Sequence, residues 1–199
     1  MAGQKTNSIK SVTLRWHRKI STAWSVKQDG MTLIELVVVL GILGILASLA
    51  IPSFQAFQER HRLQGHAMEL VTDLHYVRSE SVARNKGLRI SFYADSGGTC
   101  YLIHTGNAAA CTCSSNGSAQ CSDPTNSIQK SVGLATALGV KLQSNVASML
   151  FDPSRGTTSP AGSITVIGQS GNSIRQVVNI MGRTRTCSPQ GTVSGYRVC

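Results

Sequence analysis

Negative charge is scarce in this chain, with 9 Asp and Glu against 19 Lys and Arg. Beyond Phe151 only Asp152 stands against Arg155, Arg175, Arg183, Arg185 and Arg197. A surface with that bias attracts polyanions such as DNA or anionic lipid head groups. Catalytic patterns are missing too: no Ser, His and acid set has a recognisable nucleophile context, and no glycine loop of the phosphate-binding type occurs. That excludes the familiar hydrolase and nucleotide-binding chemistries, so the chain reads as a non-enzyme that calls for no cofactor and no metal. Internal repeats are absent, no cysteine precedes Cys100, and between Met31 and Ile51 the only strongly polar side chain is Glu35.

That last absence defines the most informative stretch, Gly30-Met31-Thr32-Leu33-Ile34-Glu35 followed by an apolar run to Ile51 and Pro52. Its length matches the roughly 20 apolar residues a helix needs to cross a bilayer. A carboxylate inside such a run costs on the order of 3 kcal/mol at the helix centre and less near an end, so Glu35 asks for a reason. The motif closely resembles the processing site of type IV prepilins. The resemblance implies cleavage by a prepilin peptidase after Gly30, N-methylation of the new terminus at Met31, and Glu35 as an assembly residue. In a bundle of such helices the carboxylate can pair with the terminal ammonium of a neighbouring subunit, neutralising both charges and setting axial register. Ahead of the cut, Lys5, Lys10, Arg15, Arg18, Lys19 and Lys27 against Asp29 carry about half of the formal net charge of +10. Basic residues beside a span stay in the cytoplasm, which sends the C-terminal part outward.

After Pro52 the pattern becomes one-sided. Leu63, Ala67, Leu70, Leu74 and Val77 recur at spacings of 3 and 4, one face of a helix, with Gln64, Glu69, Asp73, Arg78 and Arg84 off the stripe. One helix is therefore expected from about Thr32 to about Arg84, with Gly41, Gly44 and Pro52 as weak points. Phe54 and Phe57 are expected at the membrane interface or between subunits. Asn85-Lys86-Gly87 should end the helix, Gly87 taking a left-handed cap. Alternation over Leu88–Ala94, the turn Asp95–Gly98 and the run Cys100–His104 predict a hairpin. Residues 106–127, rich in Ser, Ala, Asn and Cys, are expected to be a loop pinned by disulfides. Further strands are expected at 146–151, 163–167 and 174–181, with a less regular pattern around Lys141. A long helix followed by an antiparallel sheet is an α+β architecture in which the sheet buries the amphipathic half of the helix.

All six cysteines, Cys100, Cys111, Cys113, Cys121, Cys187 and Cys199, follow the apolar run, on the side argued to be outside. An even count there favours disulfides, with Cys187 paired to Cys199 and the other four among themselves. The metal alternative, Cys111, Cys113 and Cys121 with His104, lacks two separated pairs of regular spacing. His61, His66 and His75 on the helix are expected at the surface or at subunit contacts.

Near the end, Gly182-Arg183-Thr184-Arg185-Thr186-Cys187 follows the apolar run Val177–Met181. If residues 183–185 are extended, both arginines project to one side and can grip successive phosphates, and a Cys187 to Cys199 tie brings Arg197 close. Together with residues 60–64, 74–80 and 151–156, this segment resembles the minor-pilin and pseudopilin family that includes FimT and GspH. The likeness covers nearly all of residues 30–187. It implies a type IV pilin fold with a basic leader over 1–30, a membrane and assembly half of the helix over 31–52, its amphipathic half over 53–87 and a disulfide-bonded β domain over 88–199. It implies other pilin subunits as partners through the N-terminal helix, single-pass insertion in a bacterial inner membrane with the C-terminal domain periplasmic, and then a place in a pilus at the cell surface. In the FimT branch, Gly-Arg-x-Arg is associated with DNA binding in natural transformation, which carries over onto Gly182, Arg183 and Arg185, with Arg197 as neighbour. The alternative is a GspH-like structural pseudopilin of a type II secretion system.

Overall fold

A computed structural model describes residues 30–199; of the expected leader over 1–30, all but Gly30 lies outside the described residues. The chain divides into two compact units, one ending at Gly44 and one running Ile45–Cys199. A single helix, α1 (Leu33–Ala83), begins in the first and continues in the second. Thr32 caps its start: the Thr32 hydroxyl accepts the Glu35 N–H at 3.3 Å, and the Thr32 carbonyl accepts Leu36 N–H at 3.2 Å. Its run from Leu33 to Ile51 is long and apolar enough to cross a membrane, and none of these side chains is buried within the chain. Pro52 sits inside the helix, where its missing N–H removes one i→i−4 hydrogen bond.

The helix ends differently from the sequence expectation. Asn85, not Gly87, takes the left-handed conformation, at φ 51°. Asn85 N–H bonds the Val82 carbonyl at 3.2 Å and Lys86 N–H bonds Ser81 at 3.1 Å, the paired pattern of a Schellman cap. Asn tolerates this backbone region better than other side-chain-bearing residues, so the stop needs no glycine.

Eleven strands follow: β1 (Leu88–Asp95), β2 (Gly98–His104), β3 (Cys111–Cys113), β4 (Ala119–Cys121), β5 (Ile128–Ala135), β6 (Val140–Ser144), β7 (Ser148–Phe151), β8 (Thr158–Ser159), β9 (Gly162–Gly168), β10 (Ser173–Val178) and β11 (Thr184–Cys187). They form an antiparallel five-stranded sheet in the order β5-β2-β1-β7-β8, a four-stranded sheet in the order β11-β10-β9-β6, and the small pair β3-β4. The helix stripe Leu63, Ala67, Leu70, Leu74 and Val77 is fully buried in one core. From the first sheet it meets Leu88, Ile90, Tyr101, Ile103, Met149 and Phe151; from the second come Leu142, Ile164, Val166, Ile174 and Val178. The core thus draws together the helix and the inner face of both sheets, which gives β11, on the edge of the second sheet, a rigid backing.

Two expectations are corrected here. Asp73, read as lying off the apolar stripe, is 5% exposed. It accepts the Tyr101 hydroxyl at 2.7 Å and the Lys130 ammonium at 2.8 Å, and Lys130 also reaches Glu69 at 3.1 Å, so the buried charge is paired. The cysteine-rich stretch is more than a loop: β3 and β4 lie within it, stapled by Cys111–Cys121, and Cys113 bonds Cys100 of β2. Leu102, Ala110 and Cys111 form a second buried cluster with Tyr93, Cys113, Cys121 and Ile128 around it. Sulfur and small side chains close over the back of β1 and β2, which is why β2 is buried on both faces.

Candidate nucleic-acid interface

The Gly-Arg-x-Arg segment closes the turn between β10 and β11 and begins β11. Pairing ends at Val178 opposite Thr184, so β10 is shorter than the expected 174–181. Asn179 organises the turn: its carbonyl accepts Gly182 N–H at 2.8 Å, its side-chain oxygen accepts Arg183 N–H at 2.9 Å, and its own N–H bonds Arg183 O at 3.1 Å. Gly182 has φ +69°, and a β-carbon there would lie 2.4 Å from the Gly156 carbonyl. Conformation and space both require glycine. Thr158 fixes the turn from the side, its N–H bonding Ile180 O and its hydroxyl bonding Asn179 O, each at 2.8 Å.

Beyond the turn the strand alternation decides which side chains face solvent. Thr184 and Thr186 pair with Val178 and Gln176, which point into the core, whereas Arg185 pairs with Val177 on the outer face. Arg183 shares the parity of Arg185, and both are exposed. Arg183 immediately precedes β11 and Arg185 lies within it, so two exposed arginines stand at the turn end of this edge strand. Buried Gln176 backs that strand: its amide nitrogen donates to the helix carbonyl of Ala67 at 3.2 Å and its oxygen accepts the Thr186 hydroxyl at 2.5 Å. The residue between Arg185 and Cys187 is therefore tied through β10 to the helix.

The tail closes on the far end of the same strand. Cys187 is bonded to Cys199, Ser188 N–H bonds Arg197 O at 2.7 Å, and Val198 pairs with Ser188. Arg197 is thereby held beside the end of β11, exposed like the other two. On the outer face next to β11, Arg175 stands opposite Cys187 and its Nε donates to the Thr165 hydroxyl at 3.1 Å. Among the described residues none of Arg175, Arg183, Arg185 and Arg197 is in an ion pair. At Arg183, Arg185 and Arg197 the edge offers planar, permanently charged forks that are exposed and outside any ion pair among the described residues.

Other singled-out residues lie elsewhere. Gly30 and Met31 are exposed ahead of the helix, and Glu35 occupies its first turn. Thr32 and Glu35 have the spacing of a capping box, a signature readable in the sequence that also suits the carboxylate to the positive helix end. His61 is exposed and packs edge-on against Phe57 at 4.2 Å, while half-buried His66 lies 3.5 Å from Glu69 and His75 is exposed. Cys111, Cys113 and Cys121 are all in disulfides, so none offers His104 a thiolate partner for a metal. His104 instead pairs with Ser91, a contact the sequence did not announce. Its Nδ1–H donates to Thr105 O at 2.8 Å, leaving Nε2 to accept the Ser91 hydroxyl at 2.9 Å. Burial lowers the His104 pKa and keeps the ring neutral, and both residues are fully covered, beyond a substrate's reach.

The Prokaryotic N-terminal methylation motif matches residues 26–51, and the family described as Type II transport protein GspH matches residues 66–182. Comparison with curated proteins finds no match. Among solved structures the fold resembles the type IV minor pilin FimU of Pseudomonas aeruginosa at a TM-score of 0.50 and 20% identity, over 67% of this chain and 97% of that one. The minor pseudopilin EpsH of the Vibrio cholerae Type 2 Secretion System is matched at a TM-score of 0.46 and 12% identity, over 64% and 98% of the two chains. A long N-terminal helix with antiparallel sheets is thus shared with FimU, and a family match over more than half of the sequence gives the conclusion: this chain belongs to the family described as Type II transport protein GspH.

Proposed function

We propose that this chain is a FimT-like minor pilin of a type IV pilus that binds extracellular DNA through Arg183, Arg185 and Arg197 and serves natural transformation. Cleavage after Gly30 and methylation of Met31 prepare the helix for assembly, Glu35 pairs with the new terminus of a neighbouring subunit, and the β domain faces the periplasm and then the cell exterior. The observation that carries the DNA contact is the β11 edge: exposed arginines outside any ion pair among the described residues, on a strand tied to the core, in a part of the chain with no acidic residue after Asp152. Contacts of this kind go to phosphates and read little sequence.

The test is made in the host cell. Changing Arg183 and Arg185 to Gln should leave pilus assembly intact and depress uptake of added DNA. Normal uptake in the double variant would contradict a DNA receptor. A second role has its own support: Ile180 and Met181, at the tip of the same turn, are 67% and 60% exposed, as suits a surface that docks on another subunit. Under that GspH-like role the changes Ile180→Ser and Met181→Ser, rather than the arginine changes, abolish function, and the readout is type II secretion.

A further inference from the structure

The basic surface does not stop at β11. The loop Asp152–Thr157 between β7 and β8 touches the Gly182 turn, and it carries the exposed Arg155. Three features fix that loop. The Asp152 side chain accepts Ser154 N–H at 2.8 Å, the Ser154 hydroxyl at 2.5 Å and Arg155 N–H at 3.2 Å, so the carboxylate is committed within its own turn. Backbone bonds from Gly156 N–H to Asp152 O at 2.9 Å and from Asp152 N–H to Thr157 O at 2.8 Å close it. Arg78, reaching from the helix, donates from Nε to the Gly156 carbonyl at 3.0 Å.

That carbonyl is the meeting point of three elements. The β-carbon that Gly182 lacks would lie 2.4 Å from it and 3.0 Å from Arg78 Nε, and the one Gly156 lacks, at φ +61°, would lie 3.3 Å from the same nitrogen. Arg155 and Arg183 are each one residue from the contacting glycines. Loop and hairpin therefore bring the exposed Arg155 and Arg183 to either side of one backbone contact that Arg78 braces from the helix, and none of the three is in an ion pair among the described residues, although, beside the Ser154 hydrogen bonds, the charge of Arg155 is near enough to help lower the Asp152 pKa. The two exposed side chains add positive charge on adjoining elements, as a polyanion crossing the contact requires.

We propose that Arg155 is a further phosphate-contacting residue and that Arg78 positions its loop, so that the DNA track runs from Arg185 and Arg183 across the Gly182 and Gly156 junction onto the loop. This rests on the DNA-binding role proposed above. Two elements far apart in sequence then supply one continuous basic surface, which a change confined to β11 weakens but does not erase.

The experiment measures binding of a labelled duplex to the full chain in non-ionic detergent across a salt series. Arg155→Gln should flatten the slope of log affinity against log salt by about 0.9, the value for one neutralised phosphate on duplex DNA, and alike for duplexes of different sequence. Arg62→Gln removes one charge about 24 Å away along the helix and should leave the slope unchanged. In an Arg78→Gln background the further change Arg155→Gln should have little added effect, whereas Arg183→Gln should keep its own. An Arg155→Gln slope equal to the parent's, with the Arg183 and Arg185 double variant still flattened, overturns the extension and leaves the β11 site standing. A parent chain with no affinity at low salt overturns both.

Discussion

Asp73 shows how one residue can decide the stability of the β domain. The sequence marks it as a polar helix position, yet it is buried where Tyr101 and Lys130 converge, and nothing in the spacing of the helix stripe reports that a lysine 57 positions further along the chain will arrive to neutralise it. Burial, then the hydrogen bond to Asp73 and its charge, push the Tyr101 hydroxyl well above the usual phenol range. For Lys130, desolvation works the other way but is outweighed by the bonds to Asp73 and Glu69, and its pKa rises. Both folded values exceed the ordinary ones of 10.0 and 10.5, so the stability they contribute is complete below pH 10 and is lost as pH rises further. The melting temperature should accordingly hold on the neutral side and fall above about pH 10, with Tyr101 ionising only as the domain unfolds. Absorbance of tyrosinate and circular dichroism followed together measure this. Asp73→Asn should cost about 2–3 kcal/mol at neutral pH and shrink the alkaline fall, because a charged acceptor of two hydrogen bonds is gone.

At the scale of elements, strongly patterned segments were legible and weakly patterned ones were not. The helix face and β1 followed from periods of 3.6 and 2, since one face of each is buried in a single core. β5 escaped: Ile128–Ala135 is an edge strand with mostly half-buried side chains, and its pairing with β2 depends on a partner rather than on its own alternation. The cysteine-rich stretch misled because its residues are small and polar, while the apolar cover they supply comes from disulfide sulfur and from Tyr93 and Ile128. For the site, the alternation around Arg183 and Arg185 and the reach of the Cys187–Cys199 tie could be reasoned from the sequence. The junction at Gly156 could not, because it joins the chain at positions 78, 155 and 182. The tail disulfide makes an element-scale test: Cys187→Ser with Cys199→Ser opens a loop spanning 12 residues. It should lower stability by about 2–3 kcal/mol in thermal or denaturant unfolding. It should also remove the share of DNA affinity that depends on Arg197 while sparing that of Arg183 and Arg185.

The whole molecule divides its work along the chain. The exposed apolar run with Glu35 in its first turn has no partner among the described residues, which suits it to lipid before assembly and to other helices after. Gly30→Leu should therefore leave an uncleaved precursor in the membrane fraction. Glu35→Ala should be cleaved normally but enter sheared filaments poorly, with immunoblot mobility and filament content as the readouts. Full incorporation of Glu35→Ala would remove the charge pairing from assembly. The β domain adds a rigid edge whose positive charge has no acidic partner in the sequence that follows Asp152.

The central claim is that this edge grips phosphates, and the most direct test is duplex binding by the full chain in non-ionic detergent as salt is raised. The double change Arg183→Gln and Arg185→Gln should weaken binding to every duplex alike and flatten the log–log salt dependence by up to about 1.8, at roughly 0.9 per phosphate, with an unchanged melting temperature. A double variant that binds with the parent's affinity and slope would contradict the claim and leave the exposed Ile180 and Met181 tip as the functional surface.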